Sequence, residues 1–156
     1  MIIIGFPGIG KSTLAYNNDK FVDLESSYFK PVNNRNDDWI VDYCKLAELL
    51  SKNGHIVFIS SHKAVRDYIA KMRTDELVAC VFPSERIREQ WIKKLDDRKM
   101  DTGLYKIYSA IIRALDCYED DIRELYSDDG VSYKWVITDI NYNLEEEINK
   151  LFDCIN

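Results

Sequence analysis

Met1-Ile2-Ile3-Ile4 breaks into Gly5-Phe6-Pro7-Gly8-Ile9-Gly10-Lys11-Ser12, and this stretch decides the fold. Three successive β-branched residues bounded by glycine read as a short buried strand. Lys11 to Tyr16 carries neither glycine nor proline and can continue as a helix. Between them, Gly5, Gly10, Lys11 and Ser12 fill the pattern G-x-x-x-x-G-K-[ST] in the strand-loop-helix context it requires. The stretch is a P-loop.

Its chemistry follows from the spacing. Glycines at 5, 8 and 10 admit backbone angles that a Cβ would forbid, so successive N–H groups can surround a phosphate. The helix N-terminus directs unpaired donors and partial positive charge at the same anion. Gly8, Ile9, Gly10, Lys11, Ser12 and Thr13 are thus the expected nucleotide-phosphate site. Lys11 is placed to bridge the β- and γ-phosphates, the Ser12 hydroxyl to ligate Mg²⁺, and Thr13 to contact the α-phosphate. Motors, switches and kinases all share this motif, so it does not by itself name a reaction.

Composition narrows the classes. The 156 residues fit one domain, with 27 acidic against 21 basic side chains and a net charge of −6. No stretch concentrates lysine and arginine without carboxylates nearby, which argues against a polynucleotide partner. A small anionic substrate needs only a few local cations. The four cysteines, at 44, 80, 117 and 154, form no C-x-x-C pair and read as thiols of a reducing compartment. There is no basic-apolar-small leader and no run of roughly 18 apolar residues, so the expectation is a cytoplasmic protein with no membrane partner.

Along the chain, strands alternate with helices. Further strands are expected at Lys20–Leu24, His55–Ser60, Leu77–Phe82 and Lys134–Thr138. Helices are expected from Trp39 to Leu50, from Ser61 to about Arg73, after the N-cap Ser84 with Ile87, Trp91 and Leu95 inward, from Leu104 to Tyr126, and from Leu144 to Phe152. The segment from Tyr28 to Asp38 reads as a loop, and Lys93 to Gly103 as a charge-dense break. This alternation implies an α/β fold, a five-stranded parallel sheet with right-handed crossovers and helices on both faces.

The acids separate the P-loop classes. A Walker B carboxylate is expected at the end of a strand beside the P-loop strand, but His55 to Ser60 runs into Ser61-His62. Asp139 follows the last strand, which belongs at the sheet edge. No N-K-x-D guanine motif is present. Asp23-Leu24-Glu25 instead places two carboxylates two residues apart at the end of the second strand, able to project to one side. There one could hold the Mg²⁺ water shell and the other position or deprotonate the acceptor.

These residues carry a family resemblance. The chain resembles the nucleoside-monophosphate-kinase-like branch of P-loop kinases, which includes adenylate, shikimate and gluconate kinases, and especially small kinase-like proteins encoded by bacteriophages. Gly5 to Ser12 is similar to the family's P-loop, Asp23-Leu24-Glu25 to its acid-x-acid, and Ile59 to Asp67 to the strand exit that contacts the acceptor. Val81 to Glu85 followed by Lys94 to Arg98 is similar to its strand, helix and lid, and Thr138 to Glu146, with Asn141, to the loop beside the adenine. The resemblance implies a three-layer αβα sandwich of strand order 2-3-1-4-5. It further implies an acceptor-binding segment at about 28–54 and a short lid at about 94–104. It also implies ATP and Mg²⁺ as cofactors and, for a phage-encoded chain, the host cytoplasm as location.

Lys94 and Arg98, at i and i+4, share a helix face, and two cations there would repel unless an anion such as a triphosphate lay between them. The plainer alternative is a solvated charged face with Asp96 and Asp97. Arg66, His62 and Arg35 are the candidate acceptor-binding residues. For Arg66 the alternative is an ion pair, and for His62 a helix cap. Arg113 on the long helix could reach the transferring phosphate or be exposed. The activity expected is ATP-dependent phosphoryl transfer to a small acceptor, most simply a nucleoside or deoxynucleoside monophosphate. Catalysis would rest on Lys11, Asp23, Glu25 and Arg98, with Ser12 and Asp23 on the metal. Transfer to a sugar or other metabolite hydroxyl is one alternative. A nucleotide-binding regulatory protein with little catalysis is another.

Overall fold

Ile2, Ile3 and Ile4 are wholly shielded from solvent, and the strand that contains them, β1 (Ile2–Gly5), runs down the middle of the sheet. The computed structural model describes residues 1–29, 38–102 and 105–155, the side chains at 38, 99–102 and 105–107 excepted. Arg35, with the rest of residues 30–37 of the acceptor segment, and residues 103 and 104 at the end of the lid lie outside the described residues.

β1 leads through the P-loop into α1 (Lys11–Asn17), β2 (Phe21–Asp23) and, past a 3₁₀ turn at Ser26–Tyr28, α2 (Asp38–Lys52). Next come β3 (Ile56–Ser60), α3 (Lys63–Lys71) and β4 (Val78–Pro83). A second 3₁₀ turn at Glu85–Ile87 opens α4 (Arg88–Thr102), followed by α5 (Tyr105–Ser127), β5 (Tyr133–Ile137) and α6 (Leu144–Ile155). The five strands are ordered β2-β3-β1-β4-β5 and every pairing is parallel. With helices on both faces this is the three-layer αβα sandwich that the alternation of elements requires. Central strands of such a sheet are apolar on consecutive positions because both faces are covered. Val57, Phe58 and Ile59 of β3 and Val81 and Phe82 of β4 obey this with no exposed surface.

Register sets the site. Gly5 lies opposite Ser60 and Val81, and Asp23 opposite Phe58, so β1, β2 and β3 deliver their carboxyl ends to one edge. Ligands of open α/β sheets bind at that edge, where the strand order reverses about β1.

Two expectations are corrected. The charge-dense stretch from Lys93 does not break the helix, since α4 continues through Thr102. Lysine and arginine are good helix formers, and Ile87, Trp91 and Leu95, all buried, anchor the turn and the helix that follows it. Gly5 has no positive φ and is an ordinary strand residue. A Cβ there would instead crowd the Lys11 side chain, lying 2.5 Å from its Cδ and forcing it to shift. Strand ends differ from the sequence reading by a residue or two, and α6 runs on to Ile155.

Candidate active site

Gly8 (φ 88°) and Gly10 (φ 100°) take the left-handed backbone that the P-loop turn demands. Gly8 is also pressed against α4, where a Cβ would come within 2.7 Å of the Leu95 side chain. Gly10 stands at the N-cap of α1.

Lys11 opens that helix and curls back over the loop. Its Nζ donates to the carbonyl of Gly5 at 2.9 Å and of Phe6 at 3.3 Å. Burial lowers its pKa below the ordinary lysine value, while the carboxylates of Asp23 and Glu25 work to raise it. Ser12 donates its hydroxyl to Oδ2 of Asp23 at 2.5 Å, joining the first turn of α1 to the end of β2. Glu25 caps the 3₁₀ turn by accepting from Ser27 N–H. Thr13 is exposed on the same first turn.

The hydroxyl of Ser12 and the carboxylate of Asp23 are hard oxygen donors. Among the described residues no group of three or more His, Cys, Asp or Glu is gathered that could hold a metal ion. Mg²⁺ needs none, since it is ordinarily held by one or two protein oxygens with water and substrate phosphates. The donor set therefore fits that ion.

α4 supplies the cations expected of a lid. Arg98 Nη1 donates to the carbonyl of Gly8 at 3.0 Å, and Lys94 Nζ to that of Ile140 at 2.9 Å. The Lys94 ammonium also lies 4.2 Å from the ring centre of Tyr142, and burial together with the neighbouring Arg98 lowers its pKa. The hydroxyl of Tyr142 donates to the carbonyl of Ile9 at 2.9 Å. Asn141 is exposed in the β5–α6 loop, where its N–H donates to Asp139 Oδ1 at 2.9 Å.

The side expected to take the acceptor is built differently. Arg66 is buried, 4% exposed, with Nε on Asp128 at 2.5 Å, Nη2 on Glu124 at 2.6 Å and Nη1 on the carbonyl of Ser61. Arg113 forks onto Asp121 at 2.6 and 2.7 Å, and Lys63 pairs with Asp67. Together with Phe6 and His62, these two arginines line a small cavity of about 80 Å³. His62 is the N-cap residue of α3, but its side chain makes no capping bond, and Nδ1 lies 2.5 Å from Ser60 Oγ.

A larger cavity, about 550 Å³, opens between β5 and α6 and is lined by Trp135, Asn141 and Glu147 among others. There Glu147 already accepts from the Trp135 indole and from Lys150. The P-loop edge, where Lys11, Ser12 and Asp23 converge, is the stronger candidate on chemical grounds.

Two contributors escaped the sequence reading. Tyr43 of α2 donates to Leu24 O at 2.6 Å and accepts from Ser60 N–H at 2.8 Å, tying the ends of β2 and β3 together. Tyr142 holds the P-loop from 133 residues away. Tyr43 stands in no linear motif, and Tyr142 falls in the stretch expected beside the adenine, but a tyrosine in a helix or loop carries no signal of such a contact.

No family model and no curated protein matches the chain. Among solved structures, an uncharacterized protein from Eubacterium ventriosum ATCC 27560 aligns with 99% of this chain and 96% of its own at a TM-score of 0.52 and 12% identity. A shikimate kinase from Bacteroides thetaiotaomicron aligns over 99% of this chain and 96% of its own at a TM-score of 0.49 and 14% identity. Identities this low speak to the fold alone. The strand order and the glycine loop between β1 and α1 make the chain a P-loop domain of the three-layer αβα type.

Proposed function

We propose that the chain is an ATP- and Mg²⁺-dependent phosphotransferase acting on a small acceptor, with a nucleoside or deoxynucleoside monophosphate as the first acceptor class to test. The observation that carries this reading is the convergence of Lys11, Ser12 and Asp23 at the carboxyl edge of β1 and β2, with Arg98 reaching the same loop. Phosphoryl transfer asks a protein mainly for position and positive charge.

In this scheme the P-loop amides and Lys11 bind the β- and γ-phosphates, and Lys11 leaves its carbonyl partners to do so. Ser12 and Asp23 would hold Mg²⁺, which when bound would supply charge neutralisation for the phosphates. Glu25 orients the acceptor or accepts its proton. Arg98 and Lys94 close over the nucleotide and exclude water. Asn141 borders the base.

One observation favours the alternative acceptor, a hydroxyl on an uncharged metabolite. Arg66, Arg113 and Lys63 are already paired with Glu124, Asp128, Asp121 and Asp67. A phosphate monoester entering there must displace a carboxylate, whereas a neutral hydroxyl need not.

The test is ADP release from Mg-ATP with a panel of nucleoside monophosphates, nucleosides and sugar acids. Stimulation by one acceptor, abolished in Lys11→Ala, is the expected result. Tight ATP binding with no acceptor-stimulated ADP release would sink the phosphotransferase reading and leave a nucleotide-binding regulatory protein.

A further inference from the structure

Side chains remote in sequence grip successive residues of the P-loop turn. Trp91 meets the Phe6 ring edge-on, Arg98 holds the carbonyl of Gly8, and Tyr142 holds that of Ile9. The last has a geometric consequence. A trans peptide is planar, with its C=O and N–H pointing in opposite directions, so fixing the Ile9 carbonyl also fixes the direction of the Gly10 N–H. That N–H must then point away from Tyr142. It belongs to Gly10, the N-cap residue of α1 next to Lys11, where a P-loop directs its donors at an anion.

Tyr142 is well restrained for such a task. Its ring stacks on Trp91 at 6.2 Å with the planes 6° apart, and Lys94 sits over it. The Trp91 indole N–H is buried with no hydrogen-bond partner among the described residues, so that side chain contributes its faces and not its polar atom. Burial raises the Tyr142 hydroxyl well above the ordinary tyrosine range, which keeps it a donor at any physiological pH.

We propose that Tyr142 is a positioning residue for the nucleotide phosphates: by holding the Ile9 carbonyl it aims the Gly10 N–H into the phosphate cradle. This rests on the nucleotide-binding part of the reading above, and not on which acceptor is used. It assigns the β5–α6 loop a part in phosphate binding distinct from its place beside the base.

Tyr142→Phe keeps the ring and removes only the hydroxyl. Dissociation constants for Mg-ATP, Mg-ADP and adenosine are measured by tryptophan fluorescence on wild type, Tyr142→Phe and Lys11→Ala, with a thermal midpoint for each. Loss of one hydrogen bond that orients a phosphate donor should weaken ATP and ADP about fivefold. Adenosine binding should be unchanged, and in turnover KM for Mg-ATP should rise while kcat stays within about twofold. Unchanged affinity for ATP and ADP overturns the proposal, and so does adenosine weakened as much as ATP, the signature of a general structural role. Wild type binding ATP no better than Lys11→Ala overturns the nucleotide reading itself and this inference with it.

Discussion

The two flanks of the P-loop handle positive charge in opposite ways. On the side expected to bind the nucleotide, Lys11 and Lys94 donate to main-chain carbonyls, those of Gly5, Phe6 and Ile140. On the side expected to take the acceptor, Arg66, Arg113 and Lys63 are clasped by carboxylates at 2.5 to 2.8 Å. A carbonyl dipole holds a cation in place without cancelling its charge, whereas a carboxylate cancels it. The first arrangement keeps a field that a polyphosphate can use. In the second, Arg66 joins α5 and the turn after it to α3 and the β3 exit, while the pairs Arg113–Asp121 and Lys63–Asp67 stay within α5 and α3.

Breaking the first flank should have the largest effect. Lys11→Ala is expected to lower the rate of transfer by about 10²- to 10³-fold, the scale for losing one preorganised charge in a phosphate site. Its thermal midpoint should hold, because Lys11 is lost from carbonyls and not from an ion pair. A midpoint that collapses along with activity would mean that the lysine is a structural strut.

On the second flank the expected effect is on stability. Arg66→Met leaves Glu124 and Asp128 facing each other without their cation, and a loss of about 3 kcal/mol is expected. Denaturant unfolding measures it, and nucleotide affinity should change little. Equal loss of ATP binding would show that the flanks are not separate.

A sharper test of the contrast is Asp121→Asn, which releases the Arg113 fork. If carboxylate pairing is what discourages phosphorylated acceptors, the variant should improve monophosphate over neutral acceptors by about tenfold. An unaltered ratio of kcat/KM values would remove charge pairing as the cause.

The smallest effect is a pH dependence. Burial pushes the Asp128 carboxyl upward, but its bonds from Arg66 and Gly130 N–H prevail and hold the pKa below the ordinary aspartate value. A depressed folded-state pKa contributes stability above the unfolded value and loses it as pH falls through the folded one. Stability should therefore decline below the ordinary aspartate pKa. In Arg66→Met the part of that decline due to Asp128 should vanish, which unfolding curves between neutral and acidic pH would reveal.

Much of the fold is legible because its signals are local. Gly5 to Ser12 carry the P-loop, consecutive apolar residues mark buried strands, and alternation with helices implies the parallel sheet. Asp23 could be placed because a strand's carboxyl end is a position in sequence as well as in space, and it does meet Ser12. The end of α4 was misread because charge density is not a helix stop, and the first strong breaker is Gly103.

By itself, then, the sequence determined the P-loop, the order of elements and the acid after β2, all of which depend on neighbours within a few residues. Tertiary structure alone decided the distant partners. Arg66 finds Asp128 62 positions away, Arg98 finds Gly8 at 90, and Tyr142 finds Ile9 at 133. No spacing rule reaches so far, because those partners meet only when sheet register and helix packing bring their backbones together. A long side chain takes whichever carboxylate or carbonyl that packing presents.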